Sequence, residues 1–209
     1  MYYSKADLAQ LEHRERINLI NSVSGIKPVN LIGTASASGA TNLAIFSSVV
    51  HLGSNPALLG FILRPHQEVR RHTYENILAT GVFTLNHVHR DFVQRAHYTS
   101  AKFPDEVSEF AACGLHEAYR EGFAAPFVRE SQLQLGLRYR ESIPIPLNRT
   151  TLVIGEVENA TIPDRVREEG GHLDLSRVDD VGLSGMNSYY ALEKIAQFPY
   201  ARPEELPLF

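Results

Sequence analysis

Apolar runs, either alternating or continuous, recur along the chain and are separated by short polar segments. Alternation with a period of two and a high content of β-branched residues are typical of strands. In the clearest alternating run, one face is formed by Leu133, Leu135, Leu137 and Tyr139. The runs predict strands over Pro28–Thr34, Asn42–Leu52, Ala57–Leu63, Gly81–Val88, Ser131–Glu141 and Thr150–Ala160.

Helical spacing is confined to short segments. Ser4 and Asp7 have the form of a capping box, and the apolar positions that follow predict one surface helix over about residues 5–22. A second short helix is predicted from Thr73 to Thr80, where Gly81 is a natural C-terminal residue. Residues 90–113 are helical and acidic in pattern. The chain therefore has only short helices before its last segment.

The tail, about residues 190–209, combines one helical stretch with three prolines that exclude a long final helix. We find no internal repeat and no linker, so residues 1–209 are predicted to form a single domain. Strands dominate and do not alternate regularly with long crossover helices. The predicted fold class is mainly β with inserted helices, and an antiparallel barrel is favoured over a doubly wound sheet.

The composition of the chain argues against several classes of partner and location. The formal net charge of −4 and the absence of a basic block argue against nucleic acid as a partner. Cys113 is the sole cysteine, so no internal disulfide can form and a reducing compartment is expected. The first residues lack the apolar core of a signal peptide, and no run of about 18 apolar residues exists to span a bilayer. We expect a cytoplasmic protein without membrane contact.

Several common sites are absent from the sequence. There is no G-x-G-x-x-G after a strand, no P-loop and no G-x-S-x-G nucleophile motif. His87 and His89 would lie on one face of a predicted strand, but no further ligand motif accompanies them. No metal site and no catalytic residue is assigned from the sequence.

The segment from Asn42 to Asn76 carries the candidate chemistry. Asn42, Ser47 and Ser48 offer small polar groups on or beside an apolar strand, which suits a flat heteroaromatic ring with polar edges. Basic residues cluster just before the predicted helix start at Thr73, which suits a phosphate group. An equally weighted alternative to a phosphate site is that Thr73 merely caps the helix and that the basic residues are solvated. The basic residues concerned are Arg64, Arg70, Arg71 and His72.

This segment resembles the flavin reductase-like family of FMN-binding split-barrel proteins, which includes flavoredoxins and the reductase components of two-component monooxygenases. The family typically shows N-x-A-P-x-S on a strand, then a basic residue with Asp and Thr, then N-I in a short helix. Here Asn42–Ser47 reads NLAIFS, Arg71–Thr73 reads RHT, and Asn76 precedes Ile77. The likeness extends over about residues 15–190, with further matches at Gly81–Asn86, Ala125–Pro126, Glu130–Ser131, Leu152–Val157 and Gly182–Gly185.

The resemblance implies a split β-barrel of the antiparallel Greek-key type that binds FMN at the interface of a homodimer. It implies an NAD(P)H-dependent oxidoreductase, in which the flavin accepts hydride and passes electrons to free flavin or to another acceptor, such as a flavin-dependent monooxygenase. The ring and ribityl chain are expected beside the Asn42–Ser48 segment and the phosphate beside Arg71–Thr73. The cofactor-binding residues that it implies are Asn42, Leu43, Ala44, Ser47, Ser48, Arg64, Arg71, His72 and Thr73.

Two departures from the family pattern concern the site. Ile45 stands where the family has proline, and His72 stands where it has Asp, which changes the charge beside the expected phosphate. Two other functions stay open at this point: an FMN-dependent oxidase of a small organic substrate, and a non-enzymatic FMN-binding electron carrier. A nicotinamide that stacks on an exposed flavin leaves no sequence motif, so the sequence does not separate them.

Overall fold

The computed structural model describes residues 1–67 and 69–207. Its α-helices are short: α1 Lys5–Gln10, α2 His13–Val23, α3 His72–Thr80, α4 Val93–Tyr98 and α5 Glu109–Ala112. The strands form the bulk of the fold: β1 Lys27–Pro28, β2 Asn30–Ala35, β3 Thr41–Phe46, β4 Val50–Ser54, β5 Ala57–Leu63, β6 Val82–His87, β7 Glu117–Arg120, β8 Phe123–Val128, β9 Gln134–Ile145, β10 Thr150–Thr161, β11 Val181–Ser184 and β12 Ser188–Ala191.

Seven strands form one antiparallel sheet in the order β3-β2-β6-β9-β10-β5-β4. Its two edge strands, β3 and β4, are consecutive in the chain and are joined by residues 47–49 alone. Four extended residue steps reach at most about 14 Å, so the opposite edges of the sheet must approach each other at this connection. The sheet is therefore rolled into a barrel.

The barrel interior and its outer flank are packed separately. Inside, aromatic side chains of strands that are not adjacent in the sheet meet edge to face, with Phe61 4.8 Å from Phe46 and 5.7 Å from Phe83 between ring centroids. Ile77 of α3 is fully buried in the same cluster, so α3 closes one part of the barrel. On the outer flank, Leu43 packs with residues from α4, α5 and the small sheet β1-β11-β12. Strand β3 thus has one face toward each cluster.

The predicted fold class, mainly antiparallel β with inserted helices, is confirmed. The first two predicted strands pair as the hairpin β2–β3, and β5 has the predicted bounds. The continuous strand predicted over Asn42–Leu52 is wrong, because the chain leaves β3 after Phe46 to cross to the opposite sheet edge. The hydroxyl of Ser48 replaces ladder bonds there, since it donates to the carbonyl of Ile62 at 3.2 Å and accepts from its N–H at 3.1 Å.

Three helix predictions also need correction. The N-terminal helix is two helices, because Leu11 has ψ 143° and interrupts the turn pattern, although the Ser4–Asp7 capping box is present. Helix α3 begins at His72 with Arg71 as N-cap, so Thr73 is not its cap. The helical stretch expected in the tail is absent from residues 192–202. Among the described residues, no helix is both long and apolar enough to cross a bilayer.

Candidate functional site

A buried polar cluster lies where β2, β3 and α3 meet. Asn42 and Thr34 are cross-strand partners in the β2–β3 hairpin. Nδ2 of Asn42 donates to Oγ1 of Thr73 at 3.0 Å and to Oγ1 of Thr34 at 3.4 Å, and Nδ2 of Asn76 donates to the same Thr34 oxygen at 3.1 Å. The structure thus brings together Asn42 and Thr73, which the sequence placed at opposite ends of the candidate segment.

The Asn42 amide still has an unused acceptor. Within the described part of the chain, no donor reaches its Oδ1, and no fully buried side-chain polar atom lacks a partner. The Oδ1 atom must therefore lie at an opening of the surface, although the residue as a whole is only 8% exposed. An acceptor in this position suits an N–H or hydroxyl group of a ligand.

Two guanidinium groups beside this cluster, those of Arg64 and Arg71, have no acidic partner among residues 1–67 and 69–207. Nε and Nη2 of Arg71 both donate to the carbonyl oxygen of Pro65 at 3.3 Å. Burial, together with the positive charge of nearby Arg64, lowers the pKa of Arg71. A guanidinium stays protonated despite such a shift, so the two arginines form a site that an anion would stabilise.

The neighbouring basic residues Arg70 and His72 have acidic partners within the chain. Arg70 binds Glu75 at 2.8 Å and Asp105 at 2.6 Å, and Nε2 of His72 lies 3.3 Å from Oδ1 of Asp105. Asp105 belongs to the segment between α4 and α5, which reaches the start of α3. Of the basic residues around the helix start, Arg64 and Arg71 are therefore better placed to attract an added anion than Arg70 and His72.

The predicted cofactor-binding residues on β3 and in its connection to β4 differ in whether their polar groups and surface are free to contact a ligand. Ser47 is half-buried and has no hydrogen bond within the described residues, whereas Ser48 is committed to the backbone of Ile62. Leu43 is fully buried and its N–H donates to Glu109. Ala44 is half-buried on the edge strand. Ser47 and Ala44 thus leave more room for a ligand than Leu43 and Ser48 do.

The strand histidines lie away from this cluster. His87 is paired with Asn30 at the end of β2 opposite to Thr34, and its Nδ1 bonds to Asp180 at 2.7 Å. His89 lies within 4.0 Å of Asp179. In residues 1–67 and 69–207 we find no group of three or more His, Cys, Asp or Glu side chains placed to hold a metal.

Sequence reasoning missed Thr34 and Asp105 as neighbours of the site. Thr34 is one of several threonines in apolar strands, and only strand pairing shows that it faces Asn42. Asp105 is distant in sequence from its partners Arg70 and His72, and no motif links them. Asn76 could be recognised in the sequence because it belongs to the N-I motif, but the sequence did not indicate which residue it contacts.

Comparison with known proteins assigns the family. Residues 25–179 match the flavin reductase like domain. A protein of Shewanella frigidimarina, assigned to the flavin reductases and containing a split barrel domain, is 45% identical with a TM-score of 0.92, covering 96% of this chain and all of that one. Nitrilotriacetate monooxygenase component B from Bacillus cereus has the same fold at 18% identity and TM-score 0.82, covering 95% of this chain and 98% of its own.

Flavoredoxin of Desulfovibrio vulgaris shares the fold at 24% identity and TM-score 0.72, covering 84% of this chain and 92% of its own. The antiparallel barrel described above is therefore a split barrel, as the resemblance implied. The match to the domain spans most of the chain, and the Shewanella protein matches it almost end to end. This chain belongs to the flavin reductase-like family of split-barrel oxidoreductases.

Proposed function

We propose that this protein is an NAD(P)H-dependent oxidoreductase of the flavin reductase type that binds FMN. The observation that carries the proposal is the pair Arg64 and Arg71, which lacks an acidic partner in the described residues and adjoins the buried Asn42–Thr73 contact. A phosphate monoester carries close to two negative charges at neutral pH, which two guanidinium groups can balance. FMN ends in such a group.

The start of α3 supports the same placement of the phosphate. The nine-residue helix begins at His72, and the side chain of its N-cap residue, Arg71, makes no capping hydrogen bond. The N-terminal turn of a helix favours an anion because its N–H groups and its dipole are oriented toward it. Arg71 and Thr73 would hold the phosphate, and Arg64 would add long-range attraction.

The ring and ribityl chain would follow β3 toward its connection with β4. Five residue steps separate Asn42 from Ser47, which is about 17 Å along an extended strand, and this is comparable to the length of an extended FMN. Oδ1 of Asn42 would accept a hydrogen bond from the ligand, and Ser47 would offer its hydroxyl. Ser48 would act on the backbone instead, because its hydroxyl holds Ile62 of β5 in place.

The bound flavin would supply the redox chemistry, taking electrons from NAD(P)H and giving them to the acceptor. The contribution of the chain would be to bind, to orient and to leave one ring face accessible to the nicotinamide. We propose a homodimer in which the partner covers the remaining surface of the flavin. Free flavin or a flavin-dependent monooxygenase is the proposed acceptor, and monooxygenase component B shares this fold.

The decisive experiment combines binding with turnover. Purified protein is titrated with FMN, FAD and riboflavin, and flavin fluorescence is followed. Oxidation of NADH and NADPH is then measured with and without added flavin. We expect saturable binding with FMN preferred, and nicotinamide oxidation that depends on flavin. Absence of saturable binding for all three flavins would refute the proposal, and binding without nicotinamide oxidation would favour an electron carrier or an oxidase of a small organic substrate instead.

A further inference from the structure

Two hydrogen-bonded contacts attach the N-terminal half of α3 to the sheet. Thr73 bonds to Asn42 of β3 at 3.0 Å, and Asn76 bonds to Thr34 of β2 at 3.1 Å. Thr73 and Asn76 are three residues apart, so they lie on the same face of the helix. All four side chains are at least nine-tenths buried, and Thr34 is completely inaccessible.

Two attachment points constrain the helix more than one does. The apolar packing of Ile77 holds α3 against the barrel but is not directional, so a single hydrogen bond at Thr73 would leave the helix more freedom to rotate and to move the residues at its start. The second contact fixes the rotation of the helix about its own axis. Arg71 and His72 directly precede Thr73, so the direction in which they face depends on both contacts.

The hydroxyl oxygen of Thr34 joins the two contacts. Its Oγ1 lies 3.4 Å from Nδ2 of Asn42 as well as 3.1 Å from Nδ2 of Asn76. Thr34 and Asn42 are also paired across the β2–β3 hairpin. One hydroxyl therefore connects the strand proposed to line the flavin ring with the helix proposed to hold its phosphate.

We infer that Thr34 and Asn76 are positioning residues that set the phosphate-binding start of α3 relative to the ring-binding strand β3. This inference rests on the proposed binding of FMN. Thr34 cannot touch a ligand because it is completely buried, so its action is through Asn76 and the orientation of α3, while Asn42 keeps its bond to Thr73. Loss of its hydroxyl should weaken the recognition of the phosphate more than that of the ring.

The test compares FMN with riboflavin, which has the same ring and ribityl chain but no phosphate. Dissociation constants for both flavins are measured for the unmodified protein and for Thr34→Val, which keeps the side-chain shape but removes the hydroxyl. We expect Thr34→Val to weaken FMN binding by about tenfold, the effect of one hydrogen bond to a charged group, and to change riboflavin binding less than about twofold. Thr34→Ser is the matched control and should restore the preference for FMN.

A double-mutant cycle separates positioning from general destabilisation. Thr34→Val is combined with Arg71→Ala, which removes the proposed phosphate contact. If Thr34 acts by positioning Arg71, its effect on FMN binding should largely disappear in the Arg71→Ala protein. An equal loss of affinity for both flavins, or an undiminished effect in the Arg71→Ala protein, would overturn the inference.

Three further outcomes are distinguishable. If Thr34→Val does not give a cooperative thermal transition, Asn76→Ala replaces it, since it removes the second contact from the helix side, and the same criteria apply. If the unmodified protein binds neither flavin, the proposed function itself fails. If it binds both flavins and prefers FMN, but Thr34→Val leaves that preference intact, only the positioning role is refuted.

Discussion

Nε2 of His72 lies 3.3 Å from Oδ1 of Asp105, so the histidine that stands in place of the family's Asp faces an acidic side chain of this same chain. The other carboxylate oxygen of Asp105 binds Arg70 at 2.6 Å. Asp105 is 65% exposed, which makes these ion pairs weak and easily exchanged. A phosphate at the start of α3 would therefore compete with Asp105 for His72.

This arrangement predicts a pH-dependent contribution of His72 to FMN binding. The protonated imidazole attracts the phosphate and the neutral one does not, so this contact strengthens as the imidazole gains a proton. We therefore expect the His72→Asn variant to bind FMN about as well as the unmodified protein near pH 8 and severalfold more weakly near pH 6. The measurement is a fluorescence titration of both proteins at each pH. The titration of free FMN cancels in this comparison because both proteins bind the same ligand.

Asp105→Asn is the companion variant for this prediction. It removes the competing carboxylate, so FMN binding should become tighter at both pH values while riboflavin binding stays unchanged. An identical pH profile for His72→Asn and the unmodified protein would remove His72 from the phosphate site.

Arg71 and Arg70 are adjacent but are expected to contribute differently to binding. Arg71 lacks an acidic partner among the described residues, whereas Arg70 is neutralised by Glu75 and Asp105. We predict that Arg71→Ala weakens FMN binding by at least about tenfold, as expected for loss of a charge-assisted hydrogen bond. Arg70→Ala should change it less than about threefold. Titration at low and high salt checks the assignment, since only the Arg71 variant should lose much of the salt dependence.

The strands of the barrel could be predicted because each has a local signal. Strand β5 occupies the predicted range, since its apolar run is bounded by Pro56 and Arg64. The break between β3 and β4 had no such signal. The run from Ile45 to Val50 is apolar apart from two serines, and the departure of the chain toward the opposite sheet edge depends on a distant partner, Ile62.

In the candidate site, too, the sequence predicts local features but not the tertiary contacts between side chains. Asn42 and Thr73 belong to short motifs and could be proposed from the sequence, but their direct contact depends on how α3 packs against the β2–β3 hairpin. The positions of Thr34 and Asp105 depend entirely on tertiary structure. Residue type indicates which groups can bind a phosphate. It does not indicate which cations are already neutralised within the chain.

Gly33 leaves no space for a side chain in the middle of β2. A Cβ atom at this position would overlap the carbonyl oxygen of Pro126 and lie 2.6 Å from Oγ1 of Thr84. Both groups are held in place, because the Thr84 hydroxyl donates to that carbonyl at 2.7 Å. We predict that Gly33→Ala lowers the free energy of unfolding by about 3 kcal/mol, the upper end for overpacking a core.

Gly53 provides the matched control for this substitution. It also lies in a strand, but a Cβ atom there would have its nearest neighbour at 3.4 Å, which is ordinary contact. Gly53→Ala should change the free energy of unfolding by about 0.5 kcal/mol or less. Both values come from urea denaturation, and similar values for the two variants would contradict the predicted packing around Gly33.

Cys113 is predicted to be a poor nucleophile in the folded protein. Burial, with a smaller contribution from the negative charge of Glu109, raises the pKa of its thiol. A higher pKa lowers the thiolate fraction at neutral pH, and the thiolate is the reactive form. Alkylation by iodoacetamide, followed by mass spectrometry, should therefore be severalfold slower in the native protein than in urea. Equal rates would show that Cys113 is accessible and ionised normally.

The homodimer prediction can now be restricted to particular side chains. From the sequence, the apolar runs Leu43–Leu52 and Leu152–Val157 are equally compatible with an interface and with the barrel core. Leu43 and Val153 are completely buried within the chain and cannot contribute. Val50 and Leu52 are 43% and 41% exposed on β4, which is an edge strand of the main sheet. An exposed apolar edge strand is suited to contact with a second copy.

We predict that the protein is a dimer at micromolar concentration and that Leu52→Glu shifts it toward the monomer. A two-fold interface contains the substituted position twice, once from each subunit, so one charged side chain per subunit introduces two buried charges. Multi-angle light scattering gives the mass directly. Tyr119→Glu, which changes a 57% exposed residue on β7 outside the main sheet, is the control and should leave the dimer intact. A monomeric unmodified protein that still binds FMN tightly would show that one subunit completes the flavin site alone.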